Sequence, residues 1–73
     1  MRIKEETKMK ISKYLESISE EKNIEIYQHV SKIRYAMGTK KKIMRSKAWK
    51  TMLNNENVFC VRRTADSVII TFL

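Results

Sequence analysis

With 73 residues, one cysteine and a formal net charge of +8, the chain is long enough for one small domain and has neither a disulfide framework nor a zinc set. No apolar run nears the roughly 18 residues of a membrane helix, and the charged start MRIKEETKMK lacks the apolar segment of a signal peptide. A membrane span and a secretory leader are thus not expected, a reducing intracellular setting is the default, and a start at Met1 reads as that of a whole protein.

The first predicted element is a helix over residues 5–19. Ile11, Tyr14, Leu15 and Ile18 recur at i, i+3, i+4 and i+7, which is one face of a 3.6-residue period. Glu5 and Glu6 near its start suit the positive end of the helix dipole. Residues 1–7 are either ordered with it or a disordered arm. A second helix is expected after Asn23, a residue able to cap free amides. Its apolar stripe would be Ile26, Tyr27, Val30, Ile33 and Met37, with Gly38 as the left-handed residue that closes it. A short strand at residues 24–26 is a variant of this reading.

Residues 39–55 read as helical again, in one piece or broken near Ser46. In the broken form Ser46 caps a helix of residues 47–54 and leaves 40–45 as a turn or short helix. Met44, Ala48 and Met52 would form a buried ridge beside Trp49 and Leu53, while Lys40, Lys41, Lys47 and Lys50 mostly face away from it. The segment NNEN stops the helix and the period changes to two. Residues 58–61 and 68–72 then read as a terminal hairpin around the turn RRTADS. Cys60 is expected to be a small buried apolar residue.

The charge is unevenly placed. Residues 1–26 balance six basic side chains against six acidic ones. Residues 27–56 set Lys32, Arg34, Lys40, Lys41, Lys42, Arg45, Lys47 and Lys50 against Glu56 alone, so this stretch carries +7. A solvated surface usually mixes signs. A block of one sign repels itself unless an anion relieves it, and a polyanionic nucleic acid is the commonest such anion. Lysine gives phosphate affinity as a point charge, whereas Arg45, Arg62 and Arg63 can clamp a phosphate or a guanine edge with two bonds, and Arg34 is a further candidate contact to nucleic acid.

Three helices followed by a hairpin resemble the winged helix-turn-helix class over residues 8–73. The fold class expected is therefore α+β, a three-helix bundle with a C-terminal antiparallel β-hairpin, forming a single domain. The resemblance implies a third helix carrying Lys47 and Lys50 into a major groove and a wing carrying Arg62 and Arg63. Residues 46–73, SKAWKTMLNNENVFCVRRTADSVIITFL, are also similar to the second half of the LOTUS winged helices. That likeness implies core places for Trp49, Met52, Leu53, Phe59 and Val61, and partners that are RNA or protein.

Chemistry-bearing motifs are sparse. His29 has no Cys or Asp at ligand spacing and reads as a surface or boundary residue. Gly38 stands alone, so there is no phosphate loop, and Glu20 and Glu21 sit in a polar turn with little room for a cleft. Neither catalysis nor a cofactor is expected. Tyr14, Tyr27 and Trp49 are assigned to the core, and Tyr35 to the surface. The function expected is binding of nucleic acid, duplex DNA ahead of RNA, by a transcriptional or genome-handling factor. A homodimer suits a module this small. The rival reading is a protein-interaction module whose basic face docks an acidic protein.

Overall fold

The computed structural model of the chain describes residues 9–73. The arm assigned to residues 1–7 lies outside them, as do Glu5, Glu6 and the start of the first expected helix. The elements in order are α1 (Ile11–Leu15), β1 (Asn23–Gln28), β2 (Arg34–Gly38), α2 (Lys40–Arg45), α3 (Lys47–Thr51), a 3-10 turn (Leu53–Asn55), β3 (Val58–Arg63) and β4 (Ser67–Phe72). The strands form one mixed sheet in the order β2-β1-β4-β3. Two antiparallel hairpins, β1–β2 and β3–β4, join through their parallel inner strands β1 and β4. The expected three-helix bundle with a terminal hairpin is thereby corrected: the class is α+β, but three short helices cover one face of a four-stranded sheet.

The correction is concentrated in residues 23–38, where a hairpin replaces the expected second helix. Ile24 and Ile26 explain why. On a helix they would point about 200° apart, so one would miss the core. On a strand they share a face, and both are fully buried there. Their strand neighbours on that face are Val68 and Ile70 of β4. The presumed helical stripe dissolves as a result: Val30 is 77% exposed and Ile33 54%, both in the connection between β1 and β2. That connection turns through Lys32, which adopts φ 64°, and closes with Gln28 N–H donating to Ile33 O at 3.0 Å.

The covered face holds the core. Ile11, Leu15 and Ile18 from the first segment, Ile43, Trp49 and Leu53 from the middle, and the inward strand residues Val68, Ile70 and Phe72 are all buried. Each full burial of such a side chain is worth about 1.5–3 kcal/mol. The apolar face expected for the first helix is present, although the α-helix itself is only Ile11–Leu15 and continues to Ile18 through i→i+3 bonds. Its entry is tied to β3, since Ile11 N–H donates to Glu56 O at 2.9 Å and Val58 N–H to Met9 O at 2.8 Å.

The middle segment takes the broken form. Thr39 Oγ1 accepts from Lys42 N–H at 3.4 Å to start α2. Ser46 then does two jobs: its hydroxyl donates to Ile43 O at 2.7 Å and accepts from Trp49 N–H at 3.2 Å. The first contact closes α2 and the second opens α3. Gly38 is not a helix cap; it ends β2 with φ 136°, and a Cβ there would lie 2.8 Å from Lys42 Cδ. Met44, placed on the buried ridge by its spacing, is 46% exposed, and its neighbour Ile43, about 100° away around α2, is the residue turned inward.

Candidate nucleic-acid interface

The six cations of the middle segment come together on the helical layer. Lys40, Lys41, Lys42 and Arg45 belong to α2, and Lys47 and Lys50 to α3. Ile43 and Trp49 anchor the two helices to the core, so residues two places from them, such as Lys41, Arg45 and Lys47, turn outward. All six side chains are exposed except Lys40, which is half-buried. None of the six donates a hydrogen bond to the described residues. Lys10, Lys22 and Arg63 differ, since they bond Asn55 O, Ala65 O and the Tyr14 hydroxyl respectively. Glu20 borders the α2 cations in a shallow depression of about 320 Å³ that Lys40, Lys41, Met44 and Arg45 also line.

The arginines predicted outside this block are separated from it. Arg34 lies in β2 opposite Tyr27, and Arg62 lies in β3 opposite Ile69. Tyr27 and Ile69 belong to the face of the sheet that the helices do not cover, so both arginines point to that side. Arg63 alternates to the other side. Its Nε and Nη2 donate to the Tyr14 hydroxyl at 3.1 and 2.6 Å, and its guanidinium carbon lies 5.5 Å from the Tyr14 ring centre. Arg62 and Arg63 therefore do not act as a pair on a projecting wing; they straddle the sheet.

The uncovered face also carries residues that spacing alone assigned elsewhere. In register across the strands run two rows, Met37–Glu25–Ile69–Arg62 and Arg34–Tyr27–Thr71–Cys60. Tyr27 belongs to this face rather than the core. Its hydroxyl donates to Glu25 Oε1 at 2.7 Å, and that bond raises its pKa above the ordinary 10.0, with desolvation and the Glu25 charge acting in the same direction and nearby Arg34 opposing them. Cys60 is exposed, not buried. Phe59 is 48% exposed at the β3 bulge and packs on His29 with ring centres 4.5 Å apart. Tyr35, assigned to the surface, instead packs edge-on to Phe72 at 5.4 Å. The signal that could have found this face was the alternation of Glu25 and Tyr27 with Ile24 and Ile26.

Among the described residues no group of three His, Cys, Asp or Glu side chains is placed to hold a metal ion, and no helix is long and apolar enough to cross a membrane. No protein-family model, curated protein or solved structure matches the chain.

Proposed function

We propose that this protein binds nucleic acid, duplex DNA first, by seating the phosphate backbone on the outward surface of α2 and α3. The observation that carries this reading is the set of six cations on two consecutive helices, none of them bonded to a described protein acceptor. A duplex carries about one charge per 1.7 Å along its axis. That density answers a concentrated block of cations better than isolated acidic side chains do. The contacts position the backbone and do not read sequence. A six-residue helix rises only about 9 Å, too little to lay a recognition surface along a groove, so the affinity is expected to be indifferent to base sequence.

The test is fluorescence anisotropy on labelled duplex DNA across a salt series. If about five phosphates are neutralised, log K falls against log salt with a slope near −4 to −5. The triple variant Lys41→Gln, Lys47→Gln, Lys50→Gln changes exposed side chains only, so its fold is expected to persist while the slope shrinks by about 2–3. Absence of duplex binding at low salt, or an unchanged slope in the variant, refutes the assignment of this surface.

A further inference from the structure

We propose that the uncovered sheet face is a second site, a stacking platform that takes an unpaired nucleobase of a single strand over Tyr27. It rests on the nucleic-acid reading but uses different residues on the opposite side of the sheet. Tyr27 and Glu25 are two places apart on β1 and share this face. The bond from the Tyr27 hydroxyl to Glu25 therefore draws the ring along the strand instead of letting it project into solvent. A ring held in this way is already ordered, so a base that stacks on it adds little cost in side-chain entropy. Beside it is a depression of about 300 Å³ lined by Tyr27, Gln28, His29, Lys32, Ile69 and Thr71. That volume is at the lower end of the ~300–1,000 Å³ typical of small-molecule sites, a scale suited to one base.

The charge around the depression selects the occupant. Arg34 stands in register with Tyr27, Arg62 with Ile69, and Lys32 lines the depression itself. Glu25 is the one carboxylate in the two rows, and it is engaged by the Tyr27 hydroxyl. Three cations around an aromatic floor match the alternation of phosphates and bases in a single strand, in which each base offers a π-face. They disfavour a second copy of this chain, because face-to-face association would bring together two molecules of net charge +8 with like-charged rims.

The test compares a thymidine oligonucleotide of about a dozen nucleotides and its uridine counterpart with a duplex of matched length. The variants are Tyr27→Leu and Tyr27→Phe, with melting temperatures recorded for both. The expected result is that Tyr27→Leu weakens single-strand binding roughly fivefold to a hundredfold and leaves duplex binding as in the parent, whereas Tyr27→Phe, which keeps the π-face but loses the bond to Glu25, weakens single-strand binding less than Tyr27→Leu does. A second measurement on the unaltered protein guards against a folding defect: single strands should shift the NMR resonances of the Tyr27 ring and the Thr71 methyl, while duplex should shift the amides of α2 and α3. Single-strand shifts confined to α2 and α3, or equal loss of single-strand and duplex affinity in Tyr27→Leu, would overturn the platform while leaving the helical surface standing. Shifts at Tyr27 with no duplex effect on α2 and α3 would support the platform and remove the helical surface. If poly-glutamate of matched charge moves the Tyr27 resonances as strongly as the oligonucleotides do, the platform is refuted and the face belongs to an acidic protein. Silence toward every nucleic acid refutes both proposals.

Discussion

Ile69 and Ile70 are adjacent in β4 and carry the same side chain, yet they belong to different molecular surfaces. Ile70 is fully buried beneath the helices, whereas Ile69 is half-buried on the uncovered face between Glu25 and Arg62. The same alternation runs through β1, where Ile24 and Ile26 face the core and Glu25 and Tyr27 face away. One side of the sheet supplies the stability of this small domain, and the other is left free to vary in chemistry. A pair of substitutions tests the division most strongly. Ile70→Ala should cost about 2–5 kcal/mol through lost burial and the cavity left behind, a large share of what a domain of this size can hold. Ile69→Ala, with water already at one side, should cost less than about 1.5 kcal/mol. Urea midpoints of the two variants settle the matter, and equal shifts would mean that the uncovered face is as much a core as the covered one.

The next effect in size lies where β2 hands the chain to the covering layer. Gly38 is in register with Ile24 on the covered side and holds φ 136°, a region that residues with a Cβ rarely enter. Gly38→Ala should therefore destabilise by about 1–3 kcal/mol. Most of that is backbone strain, because the clashing atom is Lys42 Cδ, which a flexible side chain can move. A thermal melt of Gly38→Ala beside Lys42→Ala, Gly38→Ala separates the two causes. Rescue by removing the lysine stem would show that contact, not φ, sets the requirement.

The covered side was largely legible in the sequence, and the uncovered side was not. Ile11, Leu15 and Ile18 could be assigned to one face because a single short segment carries its own period. Val68, Ile70 and Phe72 declare a strand in the same way, with burial alternating along β4. Residues 23–38 misled because Ile26, Tyr27, Val30, Ile33 and Met37 fit a helical spacing by coincidence; the deciding fact is the parallel pairing of β1 with β4, a contact between residues more than forty places apart. Local pattern has no access to that pairing. The six helical cations were visible because charge needs no partner to be counted. The Tyr27 platform was hidden because it consists of side chains brought into register from four strands.

A smaller effect concerns the joint within the covering layer. Ser46 closes α2 and opens α3 with one hydroxyl, so Ser46→Ala removes a cap and should cost about 1 kcal/mol. Helices of six and five residues have little cooperativity of their own. The change should therefore loosen the outward cationic surface and leave the sheet intact. Amide exchange that quickens across residues 40–51 but not in β1 or β4 is the expected pattern. Uniform quickening would mean that the layer and the sheet open as one unit.

The smallest effect belongs to the uncovered face and reads the tether between Tyr27 and Glu25. Tyr27 gives its proton to a bond with Glu25, and this raises its pKa above 10.0. The protonated phenol is the form that the fold favours. Stability from this contact is thus fully present below the unfolded value and is lost as pH rises through the folded one. An ultraviolet titration, taken as the difference between the parent and Tyr27→Phe, should place this phenol above an unperturbed tyrosine. Glu25→Gln should lower it, because an amide acceptor carries no charge to oppose the phenolate, although Arg34 would still favour ionisation. A Tyr27 that titrates at its ordinary value, or one unmoved by Glu25→Gln, would show that the ring is not tied to Glu25 in solution. The uncovered face would then differ from the covered one in order as well as in chemistry.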